Sequence, residues 1–211
     1  MLFTRRTILQ TSGAATALAG LGVLGACSSE SASNAAQAQP GPLKEMTLGN
    51  PEAKVKVIEY ASMTCPHCAA FHAQTFHPLK EKYVDSGKIL FAFREFPLDQ
   101  VALTISVLAR CAPEDKFFDV IDIFFKTQAQ WRTSDNVLGG IFEIAKQLGF
   151  TQQSFNECLQ NQPLIDGVNA IRKHGVETMK VDATPTFFIN GNKVSGALSL
   201  EAFDKEIESY L

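Results

Sequence analysis

The chain has 211 residues, a formal net charge of −3 and 45% hydrophobic residues. A slightly acidic chain without a long basic stretch is a poor ligand for nucleic acid, so no nucleic-acid partner is expected. After removal of an N-terminal leader, the remaining length predicts one domain with a sizeable core, at residues 43–211.

The N-terminus has the features of an export signal. Arg5 and Arg6 precede a weakly apolar run, residues 12–26, which is too short and too rich in Gly and Ala to span a membrane stably. The arginine pair resembles a twin-arginine signal, although Ile8 and Gln10 depart from that pattern. A general secretory signal is the alternative, and both alternatives predict export.

A possible lipidation sequence follows the apolar run directly. Residues 24–27, Leu-Gly-Ala-Cys, resemble a bacterial lipobox, in which Cys27 becomes the lipidated N-terminus and attaches the protein to a membrane. The alternative is cleavage after the Ala-Gln-Ala sequence at residues 36–38. We therefore predict an export signal at residues 1–27 and, because residues 28–42 are rich in Ser, Ala, Gln and Asn, a flexible tether.

Two short runs rich in Val, Ile and Phe, residues 54–61 and 88–96, predict β-strands. Between them, Cys65-Pro66-His67-Cys68 precedes a helix predicted over residues 69–84. The spacing places both sulfurs on one face of the first helical turn, where they can form a bridge. The pair therefore predicts reversible dithiol–disulfide exchange, with half of a zinc site or a purely structural bridge as alternatives.

The position of the motif favours a reactive first thiol. Backbone N–H groups and the helix dipole favour a thiolate at Cys65, and Pro66 suits a first turn because no N–H is needed there. His67 can lower the pKa of Cys65 further, the alternative being a solvated imidazole without an electronic role. His72 and His77 are predicted to lie on the helix surface or at its end without a function, and no metal site is predicted.

Residues 99–180 change to a helical period, with apolar residues on one face of residues 117–125. Ser134 and Thr151 are predicted N-caps and Gly149 a C-cap. A last long helix is predicted over residues 164–179. Strand character returns at residues 186–190, and Asn190-Gly191 predicts a hairpin turn into residues 193–195. Ser199 then caps a final helix, residues 200–211.

This order of motifs resembles the thioredoxin superfamily and, more narrowly, the DsbA-type thiol oxidases of bacterial envelopes. The resemblance implies an α/β thioredoxin fold with a helical insertion domain, residues 99–182. The insertion separates a β-α-β half, residues 43–98, from a β-β-α half, residues 183–211. The resemblance also implies that Pro185 is cis and that, with Thr184, it forms the rim that binds substrate backbone. An ordinary trans proline at a strand entry is the alternative.

The resemblance further implies the activity. Cys65 and Cys68 form a redox disulfide, which is donated to the cysteines of reduced or unfolded exported proteins in the periplasm or cell envelope. No organic cofactor or metal is expected, and a quinone-linked, DsbB-like membrane protein accepts the electrons. A monomer is expected. The alternatives are a disulfide isomerase or reductase for particular envelope clients and a metal-binding lipoprotein.

Glu59 is the one charged residue in the second half of the first predicted strand. Alternation places it on the same side as Val55 and Val57, toward the sheet face beneath the motif helix. The resemblance implies that Glu59 relays the proton of Cys68. The alternative is a carboxylate at a strand end, paired with a lysine in solvent.

Cys111 and Cys158 are the remaining pair, and both lie in the predicted insertion. An even number of cysteines in an oxidising compartment favours a structural disulfide between them, with two free buried thiols as the alternative. Some DsbA-like proteins carry a second bridge of this kind, which supports the pairing.

Overall fold

The structure is a computed structural model that describes residues 39–211. The predicted export signal at residues 1–27, the candidate lipidation residue Cys27 and most of the predicted tether, residues 28–38, lie outside the described residues.

The end of the predicted tether packs on the domain and does not extend from it. Pro40 is buried, and the side-chain amide of Gln39 donates hydrogen bonds to the carbonyls of Gly41 and Leu43. A Cβ at Gly41 would lie 3.2 Å from the Cβ of Ala170, so the backbone approaches a helix closely there. The packed domain thus includes residues before 43, because Pro40 is buried and Gly41 packs closely on a helix.

The domain is built on one mixed five-stranded sheet. Its strands are β1 (Met46–Gly49), β2 (Val55–Ala61), β3 (Ile89–Glu95), β4 (Thr186–Ile189) and β5 (Asn192–Ser195). Their order across the sheet is β1-β3-β2-β4-β5. Strands β2 and β3 are parallel, and the other neighbouring pairs are antiparallel.

The described helices are α1 (residues 66–84), α2 (Gln100–Cys111), α3 (Phe117–Lys126), α4 (Gln128–Arg132), α5 (Val137–Gln147), α6 (Gln152–Leu159), α7 (Gln162–Glu177) and α8 (Leu200–Glu208). Helix α1 includes two π-helical stretches, His72–Phe76 and Lys80–Val84. Helices α2 to α7 form the block between β3 and β4, so the predicted thioredoxin fold with a helical insertion is confirmed.

Both faces of the central strands are buried, which explains why β2, β3 and β4 contain few polar residues. On one face, Val57, Phe91 and Phe187 join the core with α1, α8 and the insertion. On the other face, Tyr60 and Phe188 belong to a smaller cluster that includes residues of α7.

Strand β1 was not predicted. It is only four residues long, and it pairs at the sheet edge with β3, where Met46 lies opposite Phe93. So short a segment carries too little alternation to be recognised, and its pairing with β3 decides its conformation.

The helix caps observed in the insertion agree with the caps predicted from the sequence at all but one position. Thr151 caps α6 by accepting a hydrogen bond from the N–H of Ser154, and Gly149 follows α5 with a φ of +92°. Ser134 is not a cap. Asn136 caps α5 instead, because its side chain accepts from the N–H of Gly139 at 2.9 Å, while Ser134 accepts from the N–H of Asn136.

Cys111 and Cys158 are bonded, with an S–S distance of 2.09 Å and a Cα–Cα distance of 6.1 Å. Cys111 is the last residue of α2, and Cys158 lies in the last turn of α6. The bond therefore joins the C-terminal ends of two insertion helices. Within residues 39–211, no helix combines the length and the apolar character needed to cross a membrane.

Candidate active site

The Cys-Pro-His-Cys motif forms the start of α1. Cys65 has an extended backbone and is the N-cap, and its sulfur accepts a hydrogen bond from the N–H of Cys68 at 3.4 Å. Pro66 occupies the first turn, where its missing N–H has no cost. A cysteine sulfur thus replaces the usual cap oxygen, and the unpaired N–H groups of the helix start face Cys65.

The two halves of the sheet bring a distant loop to this helix start. Tyr60 of β2 pairs with Thr186 of β4, so the segment before β4 lies beside the end of β2. The Thr184–Pro185 peptide bond in that segment is cis, as expected from the resemblance. The Cys65 sulfur lies 3.2 Å from the carbonyl oxygen of Thr184, to which its protonated form donates a hydrogen bond. Residues 119 positions apart in sequence therefore meet at one sulfur.

The two thiols have opposite electrostatic surroundings. The pKa of Cys65 is lowered to about 5, mainly by a hydrogen bond from the Cys68 side chain, which outweighs the opposing effect of burial. The Thr184 side chain and the N–H groups of Cys68 and His67 make smaller contributions in the same direction. Burial raises the pKa of Cys68 well above its usual value, and the hydrogen bond to Cys65 and the charge of Glu59 add to that rise. Donors around a sulfur favour the thiolate, and an enclosed sulfur next to a negative charge favours the thiol. At neutral pH one sulfur is therefore a thiolate and the other a thiol.

Both cysteines are free thiols in the structure, with Cys65 5% exposed and Cys68 fully buried. His67 and Pro66 are exposed. The hydrogen-bond donor of His67 to the Cys65 sulfur is its backbone N–H, and its imidazole has no hydrogen bond within the described part of the chain. The hydrogen bond from the Cys68 side chain, together with donors at the helix start, therefore accounts for the low pKa of Cys65 without the His67 ring.

Glu59 and His72 form a buried pair beneath the motif. Glu59 is 0% exposed and His72 2%, and Oε2 of Glu59 lies 3.0 Å from Nε2 of His72. The expected inward position of Glu59 is therefore observed. The surface position predicted for His72 is wrong, because the ring stacks on Phe125 at 4.3 Å in the core. Its four-residue spacing from Cys68 on one helix face was the signal that could have identified it.

Gln128 of α4 connects the insertion to the motif. Its side-chain amide donates hydrogen bonds to the carbonyl of Met63 at 2.8 Å and to that of Cys65 at 3.0 Å. Gln128 is 6% exposed, so these carbonyls are satisfied by protein and not by water. No sequence pattern indicated this contact, which depends on how the insertion packs on α1.

The turn between β2 and the motif is fixed by a short polar chain. The hydroxyl of Thr64 donates to the carboxylate of Asp99 at 2.7 Å and lies 3.2 Å from the hydroxyl of Ser62. Asp99 also caps α2 by accepting from the N–H of Ala102 at 2.8 Å. One carboxylate thus joins the start of the insertion to the segment that carries Cys65.

A cavity of about 590 Å³ lies between α1 and the helices α3 and α4. We call it the insertion groove. It is lined by Ala69, Ala70, Ala73 and His77 of α1, by Asp122 and Phe125 of α3, and by neighbouring residues including His72 and Gln128. His77 and Asp122 form an ion pair at its edge, with Nε2 and Oδ1 3.1 Å apart. Within residues 39–211, no group of three His, Cys, Asp or Glu side chains could hold a metal.

The arrangement supports thiol–disulfide exchange. A sulfur with a pKa near 5 is a good leaving group, and a second sulfur one helical turn away can bond to it. Known proteins with this architecture agree. A family model described as Thioredoxin matches residues 43–209. A Rickettsia bellii protein named as a protein-disulfide oxidoreductase is 35% identical over 173 residues, which cover 78% of this chain and 65% of that protein.

Solved structures give the same assignment. Alpha-DsbA1 of Wolbachia pipientis is 32% identical with a TM-score of 0.75, covering 80% of this chain and 92% of that chain. A protein-disulfide isomerase from Novosphingobium aromaticivorans is 25% identical with a TM-score of 0.70, covering 78% and 96%. The chain spans less than two thirds of the first curated relatives, at 65%, 60% and 55% of their lengths. The match of fold, motif and family model shows that this chain belongs to the thioredoxin superfamily, as a DsbA-type protein.

Proposed function

We propose that the protein is a thiol:disulfide oxidoreductase that donates its Cys65–Cys68 disulfide to cysteines of exported proteins. The observation that carries this proposal is the divergence of the two thiols, with the pKa of Cys65 lowered to about 5 and that of Cys68 raised by burial. Stabilising the thiolate of Cys65 stabilises the reduced pair, so the disulfide form is a strong oxidant.

The proposed cycle assigns a role to each sulfur. A substrate thiolate attacks Sγ of Cys65, the Cys65–Cys68 bond breaks, and Cys68 leaves with the electron pair and takes up a proton. A second substrate thiolate then attacks the substrate sulfur of the mixed disulfide and releases Cys65 as a thiolate. The substrate has lost two electrons, and the enzyme holds them as the reduced pair. A quinone-linked, DsbB-like membrane protein would accept them.

Thr184 and Pro185 are proposed to bind the substrate backbone, because their loop touches the Cys65 sulfur. Glu59 is proposed to supply the proton that Cys68 takes up, since it is buried and its charge acts on that sulfur. Pro66 and His67 form the exposed edge of the motif, so they are proposed to meet the substrate first.

Alkylation of the reduced protein with iodoacetamide at a series of pH values tests the proposal. Because thiolates react and thiols do not, Cys65 should be modified with a midpoint near pH 5, while Cys68 resists modification. A midpoint for Cys65 close to that of free cysteine would remove the basis for a strong oxidant.

An isomerase or reductase acting on particular clients is the second candidate, and the relative from Novosphingobium carries the name of an isomerase. Equilibration of the Cys65–Cys68 pair with glutathione separates the two functions. A pair that is mostly reduced at equilibrium supports the oxidase, because it gives up its disulfide readily, whereas a mostly oxidised pair supports a reductase.

The site of action is proposed to be the periplasm or cell envelope, with attachment to a membrane through lipidated Cys27. A diacylated cysteine provides the two hydrophobic signals that stable anchoring requires. Mass spectrometry of the mature N-terminus tests whether the protein is lipidated. An acylated chain beginning at Cys27 supports attachment, and an unmodified chain beginning at Gln39 excludes it. In either case the protein is proposed to act as a monomer.

A further inference from the structure

Two buried titratable side chains lie near Cys68 on different elements. Glu59 is on β2, and its charge acts on the Cys68 sulfur. His72 follows Cys68 by one turn on α1, so the two residues share a helix face, and the N–H of His72 bonds to the carbonyl of Cys68. The Glu59–His72 contact of 3.0 Å, between side chains exposed by 0% and 2%, therefore lies on the side of α1 that carries Cys68.

One atom on each side chain of this pair has no partner. Oε1 of Glu59 and Nδ1 of His72 are buried and make no hydrogen bond within the described residues. Buried polar atoms are nearly always paired, because leaving one unpaired is costly. We assign the ring proton to Nε2, which donates to the Glu59 carboxyl group, so that Nδ1 holds a free lone pair and can accept a second proton. The carboxyl group carries its own proton while the Cys65–Cys68 disulfide is closed.

His72 also lines the insertion groove. The titratable groups that face it are Glu59 from β2, Cys68 and His77 from α1, and Asp122 and Lys126 from α3. Strand β3 presents a phenylalanine ring to it, and α4 presents an uncharged glutamine. The imidazole is therefore placed between a route to water on one side and the buried carboxylate on the other.

We propose that His72 is a positioning residue that passes protons from the insertion groove to Glu59, and through Glu59 to Cys68. The inference rests on the proposed function, since it supplies the proton for disulfide exchange there. It assigns a purpose to Nδ1 of His72, which is buried and makes no hydrogen bond within the described residues.

The proton balance has two steps. When a thiolate attacks Cys65, Cys68 leaves as a thiolate and takes the carboxyl proton of Glu59. Glu59 then receives the Nε2 proton of His72, and Nδ1 takes a proton from water in the groove, which restores an imidazole with one proton. Reoxidation runs the same transfers in reverse. One proton moves from the groove to Cys68 for each disulfide opened, and it leaves the imidazole protonated on Nδ1. The reverse transfers on reoxidation return the ring proton to Nε2, so the pair is restored once per full redox cycle.

The competing explanation is that His72 only packs, since its ring stacks on Phe125 and lies 4.7 Å from Phe76. His72→Phe keeps that ring volume but removes both nitrogens. His72→Gln keeps a donor toward Glu59 but cannot accept a proton and release another. His77→Gln is the matched control, because it removes an imidazole from the same helix at the exposed edge of the groove.

The measurement is the rate at which dithiothreitol reduces the Cys65–Cys68 disulfide between pH 5 and 9. Each rate is corrected for the fraction of dithiothreitol that is present as thiolate at that pH. Because the proposed relay delivers a proton from solvent to Cys68, the corrected rate of the unmodified protein should decline as pH rises. At the low end of this pH range, the corrected rate of both His72 variants should be at least about tenfold below that of the unmodified protein, as expected when an acid catalyst is removed. The corrected rate of His77→Gln should equal that of the unmodified protein.

Rates within about twofold of the unmodified protein at every pH, in both His72 variants, would overturn the inference, since removal of an acid catalyst costs far more. Failure of the proposed function looks different. In that case the unmodified protein itself would show no low-pH alkylation of Cys65, whatever the His72 variants do. His72→Gln keeps the test decisive if the buried carboxylate prevents His72→Phe from folding.

Discussion

Residues 39–211 contain two cysteine pairs, and the pairs lie at opposite ends of helices. Cys65 caps the N-terminus of α1 and Cys68 lies in its first turn. Cys111 ends α2 and Cys158 lies in the last turn of α6. A helix N-terminus favours negative charge and a C-terminus disfavours it. The same side chain thus meets opposite fields in the two pairs.

The opposite fields explain why one of these pairs is suited to exchange and the other is not. The N–H groups around Cys65 stabilise the thiolate that is released when a disulfide opens. The carbonyl groups near Cys111 and Cys158 do not. The sulfurs of the insertion bridge are therefore poor leaving groups. Placement on the helix, more than the chemistry of sulfur, separates reactive from structural cysteines here.

The strongest test of the comparison removes each pair in turn. Cys65→Ser should reduce oxidation of a dithiol peptide to the rate without protein, because the attacked sulfur is gone. The matched control, Cys111→Ser combined with Cys158→Ser, should keep most of the rate. Fluorescence of a labelled peptide measures both. Equal losses in the two variants would contradict the division between the pairs.

Stepwise reduction should separate the two disulfides. Dithiothreitol at low concentration should open Cys65–Cys68 and leave Cys111–Cys158 intact, because a low-pKa leaving group is released faster. Trapping with iodoacetamide followed by mass spectrometry counts the modified sulfurs. We expect a first plateau at which only Cys65 and Cys68 can be modified. Simultaneous opening of both bonds would show that helix position does not control reducibility.

The insertion bridge should contribute to stability and not to exchange. Its sequence separation of 47 corresponds to about 4 kcal/mol in the chain-entropy model, so the double serine variant should lose up to that free energy of unfolding. Urea denaturation of both proteins, with Cys65–Cys68 oxidised, measures the difference. A variant as stable as the unmodified protein would mean that the bridge adds nothing.

The redox pair should make stability depend on pH in the reduced protein alone. The pKa of Cys65 is about 5 when folded, and a thiol in the unfolded chain titrates near 8.5. The unfolded state therefore binds more protons in between, so the contribution is fully present above about pH 8.5 and is lost as pH falls through about 5. Thermal unfolding of reduced and oxidised protein at each pH measures it. Parallel curves for the two forms would contradict the lowered pKa.

Gln128 should have the smallest effect among these tests. Gln128→Leu leaves the buried carbonyls of Met63 and Cys65 without donors and should cost about 2 kcal/mol of unfolding free energy. Gln152→Leu is the matched control, because its amide bonds to Asn156 on an exposed surface of α6. Urea denaturation compares the two. Equal losses of unfolding free energy in the two variants would show that the buried contact with the motif contributes no more to stability than an exposed one.

Features with local causes could be predicted from the sequence. The caps at Thr151 and Ser199 depend on a side chain and a backbone N–H a few residues away, and both form. The Asn190-Gly191 turn needs two residues with positive φ, and their φ values are 47° and 89°. The inward position of Glu59 followed from strand alternation. Each of these signals is contained in a short stretch of sequence.

Features that depend on packing between distant elements could not be predicted from the sequence. His72 looks polar in sequence, but the phenylalanines of α3 and β3 enclose it. Gln128 reaches the motif only because α4 packs on α1. Strand β1 is defined by its partner β3 and not by its own four residues. In each case a tertiary contact overrides the local pattern.

The contact between Cys65 and Thr184 has a consequence for how the protein is made. Its partners are 119 positions apart, whereas Glu59 and His72 are 13 apart and Gln128 is 63 from Cys65. Contacts of long sequence separation form late, because their loop entropy must be overcome first. A chain synthesised from its N-terminus thus has its redox helix before the segment that covers the reactive sulfur. Until residues near 184 have folded, Cys65 of the nascent chain is uncovered and can form disulfides with other cysteines unselectively.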